Sequence, residues 1–393
     1  MTKPETKKVN LGSALVGGFI ALVIGVFIGI GWNKIAPNFL PYLGFKITAT
    51  NDWSELDEVY SELVSKYDVA VDKASAIEGA KKGIAASVGD VYTAYMTAEE
   101  ATDFNKSLHG EVGSGIGVVL AKRDGYIRIV RTLPDNPASK AGVLAGDIIY
   151  KINGESVYNL EADEIATKLR GTSGTEVGLS VVRDGEEKSF KMTREEINNV
   201  SAYLEYNGNT AIIHVTRFDN DTGKLVRDFT KEFKSKNIDK VILDLRDNGG
   251  GYVSAAKDLL SLWIDSKAVL VQKSSKLPEE TTYASHGVAD LADMKTVVLV
   301  NGSTASASEI VAGALKDYDK ATLIGEKTYG KGVVQQLVNL SGGTLLKVTT
   351  AHWYTPNGNT INGTGITPDI EVTRSYEDIN KSRDPQLDRA LEF

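Results

Sequence analysis

The chain has 393 residues, 42% of them hydrophobic and 24% charged, an ordinary globular composition with room for two or three domains. The formal net charge is −8, and the first 32 residues carry Lys3, Lys7 and Lys8 against Glu5, so the rest of the chain is more acidic still, which argues against nucleic acid as a partner. With no cysteine, and with no two of His109, His214, His286 and His352 at metal-ligand spacing, disulfides, thiolate nucleophiles and a metal site are excluded, and no cofactor is expected.

The first element is an uncharged, mostly apolar run from Leu11 to Gly31. About 20 such residues cross a bilayer core as a helix. Lys7 and Lys8 precede it, and Trp32 and Lys34 follow. The positive-inside rule puts the N-terminus in the cytoplasm and the body outside, at the cell membrane. A cleaved signal peptide would have a shorter apolar region ending in an A-x-A-like site. Gly17, Ala21, Gly25 and Gly29 line one face of the helix, as helix packing would use, although glycine is common in membrane helices anyway.

Residues 33–52 contain Pro37, Pro41 and Gly44 and read as a linker. Leu56, Val59, Tyr60, Leu63, Val64 and Tyr67 then recur at helical spacing, and further helices fit Ile77–Ala86 and the stretch from Ala98 toward Leu108. This segment shows no chemistry of its own. It packs on the body or on another subunit, which leaves a homo-oligomer open.

From Gly113 the pattern changes to short apolar runs broken by Gly, Asp and Asn. Strands fit Ile116–Leu120, Tyr126–Val130, Ile148–Ile152, Val177–Val182 and Ser189–Met192, and a helix fits Glu161–Leu169. Asn136-Pro137-Ala138-Ser139-Lys140-Ala141-Gly142, Gly146-Asp147-Ile148-Ile149 and Ile152-Asn153-Gly154 form the core text of this module. These residues resemble a PDZ domain of the bacterial processing-protease type. Such a module captures an extended chain end beside a sheet edge and holds its carboxylate with backbone N–H groups. Gly115, Ile116 and Gly117 are the candidates for that loop. Ala162, Ile165, Ala166 and Leu169 are the candidates for the apolar wall of the groove.

Beyond Thr193 strands alternate with helices, which predicts an α/β layer with a largely parallel sheet. Strands fit Ala211–Val215, Lys240–Leu245, Val269–Gln272, Thr296–Val300 and Thr322–Gly325; helices fit Leu225–Lys234, Ala255–Leu262 and Ala305–Lys316. Three segments stand out. Asp244-Leu245-Arg246-Asp247-Asn248-Gly249-Gly250-Gly251 follows a strand, and its glycines leave N–H groups free to face an oxyanion. Ser306 opens a helix, where free N–H groups favour negative charge, although Ser306 with Glu309 also fits a capping box. Gly325-Glu326-Lys327-Thr328-Tyr329-Gly330-Lys331 nearly spells a phosphate-binding loop, but Gly332 stands where a Ser or Thr would hold magnesium and the stretch beyond is β-rich.

Taken together, these segments resemble the carboxy-terminal processing proteases. That family has S-x-S-E-I, a lysine 25 residues after the nucleophile and a glutamine four further on, which here are Ser306, Lys331 and Gln335. The resemblance spans about residues 110–372 and includes Tyr354-Thr355-Pro356-Asn357-Gly358 and Gly365-Ile366-Thr367-Pro368-Asp369. One departure is Gly249, where the family usually has proline. The resemblance implies a cytoplasmic tail over 1–10, an anchor over 11–32, a linker over 33–52 and a helical segment over 53–109. A PDZ module over 110–194 and a ClpP/crotonase-like α/β protease core with a C-terminal helix over 195–393 complete the chain.

The implied reaction is acyl transfer by a serine endopeptidase needing no metal or cofactor. Ser306 attacks, Lys331 is the general base, Gln335 orients the amine, and Gly249 or Gly250 with Ala307 holds the oxyanion. Lysine serves as a base only when neutral, so its pKa of about 10.4 has to fall to about 7–8, a differential of roughly 3–4 kcal/mol. The polypeptide substrates are exported proteins bound by their C-termini. Arg170, after the PDZ helix, matches an arginine thought to help assemble the site when a peptide binds. Two other classes stay open: a membrane-tethered PDZ adaptor with an inert protease half, and a Ser-His hydrolase using His352 or His214.

Overall fold

A computed structural model describes residues 53–393 except 124, 277–279 and 382. The expected tail, anchor and linker over 1–52 lie outside the described residues. Among the described residues no helix is long and apolar enough to cross a membrane. The chain divides into two compact units between Ala80 and Lys81. In the first, the helix Ser54–Lys66 begins with Glu55 and Asp57 and ends with Lys66, the charge order that complements its dipole. Its apolar residues Leu56, Val59, Leu63 and Val64 are exposed. A second helix, Lys73–Ala86, starts four residues earlier than periodicity suggests.

In the second unit, Val118–Arg123, Tyr126–Thr132, Ile148–Ile152, Glu176–Arg183 and Glu186–Thr193 form an antiparallel sheet in that order. Val177, Leu179 and Val181 alternate inward and pack with Ile127, Ile129, Ile165 and Leu169. The PDZ-like text proves to be largely turn and anchor chemistry. Asn153 and Gly154 both take positive φ in a tight turn, as a left-handed two-residue hairpin loop requires. Asp147 is buried and accepts Arg183 Nε at 2.6 Å and Nη2 at 2.7 Å. The strand expected over Ile116–Leu120 is broken. Ser114–Gly115 pairs with Glu195–Glu196, and Gly117 turns at φ 76°, where a Cβ would lie 2.4 Å from Asn136 Cβ.

The core sheet runs Ala202–Asn207, Thr210–Val215, Lys240–Asp244, Lys295–Val300, Thr322–Gly325 and Ile370–Glu371. The first two strands form an antiparallel hairpin and the rest are parallel. The sequence pattern had not shown the edge strand Ala202–Asn207, which is half polar. Both faces are covered, as a parallel sheet demands. Val241, Leu243, Val298 and Val300 face the helices Val253–Leu260 and Ala307–Asp317. Ile242, Val297, Leu299 and Ile324 face Ala390 and Leu387 of the helix Pro385–Glu392. Each side chain so buried contributes about 1.5–3 kcal/mol. A second sheet is built on Leu345–Tyr354, which pairs with Val333–Asn339 along one edge and with Ala94–Met96 and Ala268–Lys273 along the other.

Candidate active site

Three neighbouring parallel strands end at one edge of the core sheet, and each delivers one of the three segments. Lys240–Asp244 runs into the glycine loop, Lys295–Val300 into the Ser306 turn, and Thr322–Gly325 into the Lys331 turn. Crevices at the carboxyl ends of such strands are where open α/β sheets place their ligands.

Asn248 stitches the first two loops together. Fully buried, it donates from Nδ2 to the Val215 carbonyl at 2.7 Å. Its own carbonyl accepts from Ala305 N–H at 3.0 Å and from Ser308 Oγ at 2.9 Å. Gly250, at φ 101°, packs so closely that a Cβ would fall 2.8 Å from both Ala305 O and Ser306 Cβ. Ser306 itself sits at φ 56° and ψ −117°, a conformation that costs a non-glycine residue of order 1–3 kcal/mol and that clusters at functional sites. Its Oγ makes no cap hydrogen bond, so only half of the capping box closes: Ser306 N–H donates to Glu309 Oε2 at 2.9 Å.

Glu309 does far more than cap. Its carboxylate has no exposure and accepts four hydrogen bonds. Oε2 also takes Lys331 N–H at 2.9 Å, while Oε1 takes Thr328 Oγ1 at 2.6 Å and Gly330 N–H at 2.7 Å. One buried charge thus fixes the backbone of Ser306 and of Lys331 relative to each other. Charge-assisted bonds of this kind are about twice as strong as neutral ones. Trp353 Nε1 holds the Lys331 carbonyl from the other side at 3.0 Å. The Gly365-Ile366 motif supports the same turn, through Thr328 N–H to the Ile366 carbonyl at 3.1 Å and Ile366 N–H to Thr328 Oγ1 at 2.7 Å. Glu309 as a clamp was missed in the sequence.

Lys331 Nζ donates to Gln335 Oε1 at 2.8 Å, in the arrangement expected of that pair. Burial holds its pKa below the ordinary lysine value and Lys347 pushes the same way, against Glu309 and Asp90. That is the direction a lysine base needs. Lys331 and Ser306 Oγ are not hydrogen-bonded to each other in this conformation.

Several expected site residues sit otherwise. Gly250 N–H already donates to Asn248 Oδ1 at 2.9 Å, so it is not a free oxyanion donor here; the N–H groups of Gly249 and Ala307 have no protein acceptor. Ile165 and Leu169 are corrected from groove wall to core: their helix, Ala162–Leu169, turns them onto the sheet, leaving 0% and 3% exposed. Ile116 joins the same core at 1%, and Gly115 and Gly117 are buried with it, so the carboxylate loop is closed to a peptide as it stands. Arg170 is exposed and borders this loop, since a Cβ on Gly115 would lie 3.7 Å from Arg170 Cγ; it makes no contact with Ser306, Lys331 or Gln335. His214 is engaged by Asp244 and Glu205, and His352 is exposed on its strand; neither meets Ser306.

Residues 209–372 match peptidase family S41, and residues 128–183 match a PDZ domain. A "Probable CtpA-like serine protease" of Staphylococcus aureus (strain COL) is 34% identical over 372 residues, covering 94% of this chain and 73% of that protein. One of Staphylococcus epidermidis is 34% identical over 328 residues, covering 83% of this chain and 67% of that one. In fold, the chain is similar to a photosystem II D1 C-terminal processing protease, with a TM-score of 0.57 at 24% identity over 84% of this chain and 90% of that one. Identity at that length and coverage, with the site geometry above, means that the chain belongs to the CtpA-like serine proteases of peptidase family S41 and carries their PDZ domain.

Proposed function

We propose that Ser306 is the nucleophile and Lys331 its general base, in an extracytoplasmic endopeptidase held at the cell membrane by residues 11–32. The observation that carries the catalytic reading is the Glu309 carboxylate shared between the main chains of Ser306 and Lys331. Lys331 takes the Ser306 proton as Oγ attacks the scissile carbonyl, and Ala307 N–H with an N–H of the glycine loop receives the oxyanion. The proton then passes to the leaving amine, and water releases the acyl group from Ser306. Gln335 orients the amine through a neutral hydrogen bond, which leaves the lysine pKa low; a carboxylate in its place would raise it.

The substrates are C-terminal tails or loosened segments of exported proteins, captured through the PDZ module. The closed carboxylate loop, the occupied Gly250 N–H and the unjoined Ser306–Lys331 pair together describe a resting arrangement. Peptide binding at Gly115–Gly117, with Arg170 beside it, is the event that releases it. The test follows cleavage of an unfolded protein with an apolar C-terminus, comparing wild type with Ser306→Ala, Lys331→Ala and Gln335→Ala. Loss in the serine and lysine variants with folding intact supports the dyad. Cleavage that survives Ser306→Ala overturns it, and a wild type that stays inert with excess C-terminal peptide favours an adaptor.

A further inference from the structure

The stretch between the helices Lys73–Ala86 and Ala98–Leu108 reads in the sequence as carrying no chemistry, yet it runs directly onto the lysine. Ala94–Met96 adds an edge to Leu345–Tyr354, with Ala94 opposite Lys347. Just upstream, Asp90 folds the chain into a tight turn: Oδ1 accepts Tyr92 N–H at 3.0 Å and Oδ2 accepts Thr93 Oγ1 at 2.6 Å. Thr93 Oγ1 in turn accepts Thr349 N–H at 3.1 Å. Thr349 is the partner of Gln335 across a bulge in the strand pair. The turn is therefore pinned to the sheet at the level of the lysine site.

Tyr92 meets that site twice. Its carbonyl accepts from Gln335 Nε2. Its ring lies 5.4 Å from Lys331 Nζ, and its hydroxyl is hydrogen-bonded to Tyr329. The carbonyl decides the orientation of the Gln335 amide. A carbonyl can only accept, so the NH₂ end has to face Tyr92, and Oε1 is left to accept from Lys331. Without that acceptor the amide is free to flip and present a donor to the amine.

We infer that Tyr92 is a positioning residue of the lysine base: its carbonyl sets the Gln335 amide, its ring roofs the Lys331 amine against water, and the Asp90–Thr93 turn clamps both to the sheet. This rests on the reading of Lys331 as base. The charged groups around the amine are Lys347 on its strand, Glu309 on its helix and Asp90 on the turn, joined by the phenols of Tyr92 and Tyr329. Lys347 lowers the lysine pKa while Glu309 and Asp90 raise it, and burial is the leading cause of the depression. Burial is what the ring supplies.

The test uses the full chain with Tyr92→Ala, Tyr92→Phe and Thr93→Val, the last of which frees the turn without changing charge. Two readouts are taken: the pH profile of kcat and KM on a tail substrate, and the pH dependence of Lys331 acetylation by acetic anhydride, read by mass spectrometry, which gives the lysine pKa directly. Exposed Lys191 is the internal reference. In Tyr92→Ala, kcat falls about tenfold with KM little changed, and both the acidic limb and the Lys331 pKa rise by about one unit. Thr93→Val moves the same way by less. Tyr92→Phe, which keeps ring and carbonyl, returns both toward wild type. A folded Tyr92→Ala or Thr93→Val with the wild-type Lys331 pKa and limb overturns the inference. Acetylation reports on the roof independently of activity: Lys331→Ala that still cleaves sinks the base reading, whereas an unmoved Lys331 pKa in Tyr92→Ala sinks this one.

Discussion

Replacing Glu309 with glutamine separates what the carboxylate does by geometry from what it does by charge. Glu309 accepts two bonds on each oxygen, three from backbone N–H groups and one from Thr328 Oγ1. A glutamine keeps one acceptor. With its oxygen toward Ser306 and Lys331, its NH₂ confronts Gly330 N–H, which is then orphaned in a buried site. An orphaned donor costs about 1–3 kcal/mol, and the loss of charge assistance on the remaining bonds brings the total to roughly 3–5 kcal/mol. For a core of this size that lowers Tm by about 6–20 °C. As the Ser306 and Lys331 turns lose their common anchor, kcat falls about 10²-fold, the scale of a misplacement near 1 Å. Charge alone predicts something different. The Glu309 charge raises the Lys331 pKa, so its removal moves the acidic limb of kcat/KM to lower pH and favours the neutral base. Calorimetry and the pH–rate profile therefore read the two effects apart. An unchanged Tm and kcat with only the limb displaced would refute the clamp.

The same lysine gives a second test. Lys347 depresses the Lys331 pKa, so Lys347→Met moves the acidic limb to higher pH, measured as kcat/KM against pH at constant ionic strength. Because the folded-state pKa of Lys331 is lowered, its burial costs stability while the unfolded lysine is protonated, and that cost fades as pH rises toward the unfolded value. Lys331→Met accordingly raises Tm at neutral pH while abolishing cleavage, and a lowered Tm would contradict it. In the glycine loop, Gly249 has no positive φ, and a Cβ there would meet nothing within 4 Å. Gly249→Pro is tolerated, and cleavage persists with Gly250 released from Asn248 as the second donor; loss of cleavage in a folded protein would make Gly249 N–H the donor. Burial presses the His214 pKa down, but Asp244 and Glu205 overcome it and lift it to about 9. Its ion pairs contribute about 3 kcal/mol below the unfolded value near 6.5, a contribution lost as pH rises to about 9. His214→Phe flattens that stretch of the stability curve and leaves cleavage in place, whereas loss of cleavage with folding intact would revive a Ser-His mechanism.

What the sequence disclosed and what it concealed divide along one physical line. Val241–Leu243 and Val297–Val300 announce themselves as strands buried on both faces, because side chains carry that signal. Ser306, Lys331 and Gln335 declare themselves through the spacing of three functional groups. The missed contacts are those made by groups every residue shares. Ser-x-x-Glu looks the same whether the glutamate caps one turn or also collects two N–H groups and a hydroxyl from residues 19–22 positions further on. Tyr92 reaches Gln335 through a carbonyl, which no residue type can advertise. The Gly249–Gly251 run promises free N–H groups, but the Asn248 side chain decides which stay free. Ile165 and Leu169 mark an apolar helix face without saying whether it meets a sheet or a peptide; an eight-residue helix over five strands spends that face on the core first. The catalytic side chains are thus legible while the frame that aims them is built largely from main-chain groups. That predicts where function is vulnerable: substitutions at Glu309, Asn248 and Thr93, none of which touches substrate, should disable the site without altering any of the three residues that identify it.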